Sequence, residues 1–139
     1  MERTMPRPKS VAEPKIIELM GAINIHSKVA VYQQIENCVR YGVAAGLLNE
    51  GNQLPSVREL SEKLDINPNT VAKAYRDLEV MGVVYTRRGM GVFIEKGIAN
   101  RCKKDATAEV LGRLYEVSRE AVACGLDAKI IARAVKEFS

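Results

Sequence analysis

Tryptophan is absent from this 139-residue chain, phenylalanine occurs twice, and there is a single histidine. With so few aromatic rings, an interior must rest on Leu, Ile, Val and Ala, as it often does in helical proteins. The lone His26 precedes the first strong helical pattern and has no matched nucleophile or paired carboxylate, so no catalytic residue is assigned. Cys38, Cys102 and Cys124 form an odd, widely spaced set without the close pairs of a zinc site. No metal ligand and no cofactor is expected. Reduced thiols point to a cytoplasmic protein. No apolar run reaches the roughly 18–20 residues that a membrane span requires. The N-terminus also lacks the charged-then-apolar order of a secretory signal. The glycines near residue 90 are not followed by Lys-Ser/Thr, which argues against a phosphate-cradling loop.

Charge of one sign is in short supply where it would be most telling. The whole chain has a net charge of +4 and a pI of about 9.0. Residues 29–97, however, carry eight Lys/Arg and eight Asp/Glu. A nucleic-acid partner is permitted, but the cations must then be gathered on one face.

Three of the five prolines, Pro6, Pro8 and Pro14, fall among Arg, Lys and Ser in residues 1–14, which read as a tail. The tail is taken to extend to residue 22, with a short helix over 15–22. Ile23-Asn24-Ile25 alternates as a short strand would. Val31, Ile35, Val39 and Val43 recur every four residues and predict a helix near 29–46. Asn49-Glu50-Gly51-Asn52 is a turn. Ser56 and Glu59 form a capping-box pattern that opens a short helix ending near Lys63 or Leu64. After the tight turn at Asp65-Ile66, Asn67 caps a third helix with Pro68 at its first position. Val71, Ala74, Tyr75, Leu78 and Met81 form its buried stripe, and Gly82 ends it.

Two β-rich runs, Val83–Thr86 and Val92–Ile94, flank Arg87-Arg88-Gly89-Met90-Gly91 and read as a hairpin. Residues 95–104 read as a polar linker. Two further helices are expected near 105–124 and 127–138, parted by Gly125 and with Asp127 as a cap.

The predicted fold class is mainly α with a small β-hairpin: a winged helix-turn-helix over 23–97, followed by a two-helix dimerisation segment over 98–139. Helices joined by a three- or four-residue turn cross steeply, so the second one projects and fits a DNA major groove. Asn69, Lys73 and Arg76 lie at i, i+4 and i+7 on the side opposite the apolar stripe, with Thr70 beside them. Asn suits adenine, and Lys or Arg suits guanine or phosphate. Arg58 falls where it would overlook the DNA backbone. Arg87 and Arg88 at a hairpin tip suit phosphates or a minor groove, while Gly89 and Gly91 permit the turn.

Together these residues resemble the GntR family of bacterial transcription regulators. The stretch LPSVRELSEKLDINPNTVAKAYRDLEVMGVVYTRRGMGVFI is similar to that family's DNA-binding module throughout, and VYQQIENCVRYGVAAGLLNEGNQ is similar to its first helix and turn. The resemblance implies DNA contacts by Arg58, Asn69, Thr70, Arg87, Arg88, Gly89 and Gly91. Many members have Arg where this chain has Pro68 and Ala72, so operator preference does not carry over. Asn67-Pro68-Asn69-Thr70 and the short remainder after residue 97 resemble the small YtrA-like branch, in which such a tail dimerises.

The tail supplies two apolar stripes, Val110, Leu114, Val117 and Ala121 on one helix and Ile131 and Val135 on the next. Two short amphipathic helices cannot bury both alone. A second copy of the chain is therefore the expected cover. The function expected is that of a repressor, bound as a homodimer to an inverted repeat in double-stranded DNA. The rival is a winged-helix module that contacts protein without DNA. A small-molecule effector, if one binds, would have to sit between the winged domain and the tail.

Overall fold

The described residues of the computed structural model are 12–139. Six helices and a two-stranded sheet are found among them: α1 (Ala12–Met20), α2 (Val31–Ala44), α3 (Val57–Leu64), α4 (Pro68–Val80), β1 (Val84–Arg87), β2 (Gly91–Ile94), α5 (Ala99–Ala123) and α6 (Ala128–Lys136). The chain divides into two units, one running through Lys104 and one from Asp105 to Ser139.

The first unit is built around α2 and α4, which pack on each other, with α1 on α2, α3 on α4, and β1 against α4. Ile35, Val39 and Val43 of α2 meet Val71, Ala74 and Leu78 of α4 in one closed apolar core, together with Leu48, Leu54, Leu60, Val84 and Ile94. Each large aliphatic side chain withdrawn from water contributes about 1.5–3 kcal/mol, which fixes the pitch of α4 on its support.

Three sequence readings are revised. Residues 1–11 of the expected tail lie outside the described residues, but the tail does not continue to residue 22. It gives way to α1, whose Ile16 and Met20 are buried in the core. Ile23–Ile25 is not a strand. The Gln34 carboxamide takes up the backbone there, accepting from the Asn24 N–H at 2.8 Å and donating to the carbonyls of Asn24 and Val29, each at 2.8 Å. Residues 99–104 are not linker but the first turns of α5, because Ile98 and Cys102, four apart, both bury in the core. The winged unit therefore runs past residue 97. The turn expected at residues 49–52 is present, and its exit adds a third strand-like segment. Gln53 pairs antiparallel with Phe93, and the N–H groups of Gly51 and Leu54 donate to the carbonyls of Ile94 and Val92 at 2.8 Å each.

The second unit contains the remainder of α5, a break at Gly125 (φ +91°), and α6, where the Asp127 carboxylate accepts from the Ile130 N–H at 3.0 Å. Val110, Leu114, Val117 and Val135 are exposed within the chain, and Ala121 and Ile131 are half-buried.

Candidate nucleic-acid interface

Local chemistry sets the two helices of the projecting motif. Ser56 Oγ accepts from the Glu59 N–H at 3.0 Å and starts α3. The helix stops at Asp65, which takes the left-handed conformation (φ 53°). Aspartate adopts this conformation more readily than most side chains. Two residues later Asn67 Oδ1 accepts from the Asn69 N–H at 2.9 Å, and Pro68 opens α4. A buried bond then locks α4 to the entry of α3: Tyr75 Oη donates to the Pro55 carbonyl at 2.6 Å. Sequence reading placed Tyr75 in the apolar stripe but had no means of finding its hydroxyl's partner.

With Val71, Ala74, Tyr75 and Leu78 buried beneath it, α4 turns Asn69 and Arg76 outward, and Thr70 is half-buried in the first turn. Arg58 is exposed in the first turn of α3, its Nε 3.0 Å from Glu62 Oε1. An ion pair this open to water is worth at most about 1 kcal/mol, so Arg58 can exchange it for a phosphate. Lys73 is placed differently from the expectation. Its Nζ lies 3.1 Å from Asp77 Oδ2 and 4.5 Å from the centroid of the Tyr32 ring. It sits against α2 and is not extended from α4.

The wing is a tight antiparallel ladder, Val84 opposite Ile94 and Arg87 opposite Gly91. Arg87, Arg88, Gly89 and Met90 are exposed at its tip. Gly89 (φ +76°) and Gly91 (φ +128°) adopt conformations that suit glycine. Gln53, which sequence reading left unassigned, braces the tip by donating from Nε2 to the Met90 carbonyl at 2.8 Å. A side chain at Gly91 would place its Cβ 2.5 Å from that nitrogen. The base of the wing is tied to α4, since Glu79 Oε1 accepts from the Thr86 N–H at 3.3 Å. The Arg101 guanidinium donates to the carbonyl of Met81, the residue that ends α4.

The carboxyl groups of Glu36 and Asp77 meet between α2 and α4. Burial, followed by the hydrogen bond to Asp77, raises the Glu36 pKa to about 7. The Asp77 carboxyl is held below its ordinary range, first by the hydrogen bond with Glu36 and then by that with Lys73. Burial pushes the Cys38 thiol up, as expected for an unreactive thiol. No helix among the described residues is long and apolar enough to cross a membrane.

Residues 31–94 match the family described as bacterial regulatory proteins, gntR family. The chain is 31% identical over 120 residues to the HTH-type transcriptional repressor YtrA of Bacillus subtilis, covering 86% of this chain and 92% of that one. It is 36% identical over 115 residues to the HTH-type transcriptional regulator YhcF of the same organism, covering 81% and 93% respectively. A transcriptional regulator from Oenococcus oeni superposes with a TM-score of 0.62 at 36% identity, covering 84% of this chain and 97% of that one.

Proposed function

The chain belongs to the GntR family of bacterial regulatory proteins and is a DNA-binding transcription regulator, and from that premise we propose that it represses transcription as a homodimer on an inverted-repeat operator. The observation that carries the proposal is α4, buried along one side and offering Asn69, Thr70 and Arg76 along the other. In this reading Asn69, Thr70 and Arg76 face base edges in a major groove. Arg58 and the first turn of α4 hold phosphates, and Arg87, Arg88, Gly89 and Gly91 follow the adjacent backbone or minor groove. Lys73 reaches DNA only by leaving Asp77.

Dimerisation is assigned to the second unit through Val110, Leu114, Val117, Ala121, Ile131 and Val135. The exposure of Val110, Leu114, Val117 and Val135 within one chain supports this reading, as does the name repressor borne by the YtrA relative for the sign of regulation. A twofold pair of recognition helices about 34 Å apart would match successive major grooves on one face of the duplex.

A duplex enriched by the protein from a random-sequence pool, followed by a salt titration, tests the proposal. The selected sites should share an inverted repeat, and affinity should fall steeply with salt as counterions are released. Arg88→Ala should make the slope of log K against log salt shallower by about one, while Asn69→Ala should relax preference at one position of each half-site. Selection of a single unrepeated site would remove the homodimeric operator from the proposal.

A further inference from the structure

One carboxyl group of the winged unit takes no part in the interface just described and has one oxygen unsatisfied where it lies. Glu36 Oε1 is buried and finds no hydrogen-bond partner among the described residues. The rest of its carboxyl group faces Asp77 across the α2–α4 contact, with Lys73 and Arg40 as the nearby cations. Asp77 in turn holds Lys73 Nζ at 3.1 Å, and the Tyr32 ring flanks that ammonium group at 4.5 Å. Arg76 is the other cation acting on Asp77. Tyr32, Glu36 and Arg40 are spaced four apart on α2, and Lys73 and Asp77 four apart on α4, so these side chains form one seam between the supporting helix and the recognition helix.

A buried carboxyl oxygen without a donor is costly when ionised, and two carboxylates that touch cannot both ionise freely. We propose that Glu36 is a positioning residue for the recognition-helix cation Lys73, acting through Asp77 to set how firmly Lys73 is retained on the α2–α4 seam instead of extending to a DNA phosphate. The inference rests on reading α4 as the recognition helix.

While protonated, Glu36 donates to Asp77 and draws on the charge that holds Lys73. When Glu36 loses its proton, the seam gains a negative charge, Lys73 is held more tightly, and nearby phosphates are repelled. The Glu36 carboxyl, raised to about 7, changes state near neutrality. Phosphates brought close by binding favour its protonated form, so the complex takes up a proton. Affinity therefore declines as pH rises through that range.

Two measurements on the full chain decide the matter. In the free protein, the Glu36 side-chain carboxyl carbon followed by NMR should titrate near 7, and the Lys73 Cε signals should move with it. Asp77→Asn should remove the Lys73 response. Titration of Glu36 in the ordinary carboxylate range, or a Lys73 signal indifferent to it, overturns the proposal whether or not any duplex is bound.

The second measurement is fluorescence anisotropy with a labelled pool-selected duplex at constant salt. Wild-type affinity should fall about threefold between pH 5.5 and 8.5, as an upward displacement of the Glu36 pKa by about half a unit in the complex would give. Glu36→Gln should lose that step and keep the affinity of the acid limb. Asp77→Asn should steepen the salt dependence by about one as Lys73 is released to a phosphate. A pH step retained in full by Glu36→Gln, or an unchanged salt slope in Asp77→Asn, overturns the proposal. Failure of all variants and the wild type to bind any duplex would instead remove the reading of α4, leaving the free-protein titration to decide the seam.

Discussion

The winged unit and the C-terminal helices are built from similar aliphatic residues, yet they dispose of them in opposite ways. Ile35, Leu60 and Leu78 in the first are fully buried, whereas Leu114 is 40% exposed and Val117 59% exposed in the second. A core drawn from α1 to α4 and closed by a small sheet can satisfy its own apolar surface. Two amphipathic helices cannot, because each has a single stripe and no third layer to receive it. One region thus carries its folding information internally, and the other leaves part of it to whatever covers Val110, Leu114 and Val117.

The sharpest way to break that contrast is to truncate one leucine in each region. Leu78→Ala should cost the winged unit about 3 kcal/mol, within the 2–5 kcal/mol typical of buried leucines, read as a fall in the urea midpoint. Leu114→Ala should cost the isolated monomer less than about 0.5 kcal/mol. Equal losses in dilute protein would mean that the second region also stands alone.

Charge on the exposed stripe should separate the two regions further. Leu114→Asp combined with Val117→Asp should yield monomers by sedimentation velocity and weaken operator binding at least about tenfold, since two half-sites would no longer be engaged together. The melting of the winged unit should be little changed. A doubly substituted protein that stays dimeric would place the interface elsewhere.

Smaller effects should stay within the winged unit. Gly91→Ala puts a side chain at φ +128° and against Gln53. It should cost about 1–3 kcal/mol of local strain and reduce DNA affinity while the helix content by circular dichroism is retained. The pH dependence of stability is a further property of the winged unit. The Glu36 pKa is raised from 4.5 to about 7 in the folded protein, so the folded state holds a proton that the unfolded chain has released. Stability should fall as pH rises from 4.5 to 7 and then level off. Thermal melts of Glu36→Gln should lack that slope, and melts of the tail variant should keep it.

Much of the projecting motif is legible from sequence because its signals are local. Ser56, Asn67, Pro68 and Gly82 mark helix ends through their own backbone chemistry, and the 71–74–75–78 spacing marks the buried side of α4. The same local reading proposes roles for Arg58, Asn69 and the wing, and the family resemblance points to the same residues. What escaped depends on partners distant in sequence. Ile23–Ile25 alternates like a strand, but Gln34, ten residues beyond Asn24, claims the backbone groups a strand would need. Residues 99–104 look polar enough for a linker, yet Cys102 behaves as a small apolar residue and docks. Lys73 is expected on the DNA-facing side of α4; its i,i+4 partner Asp77 is in view in the sequence, but the Tyr32 ring of α2 that flanks the same ammonium group is not.

The pairing of residues 51–54 with β2 has a consequence for how the wing opens. A lone hairpin is marginal in water, and its amide protons would exchange whenever it frayed. Here the N–H groups of Leu54 and Ile94 bond across the seam between the pre-α3 segment and β2, and both residues are buried in the same core. Their deuterium uptake should therefore follow melting of the entire winged unit. The tip at Arg88 and Gly89, beyond that seam, should exchange freely: a pliable point on a stem that does not unzip.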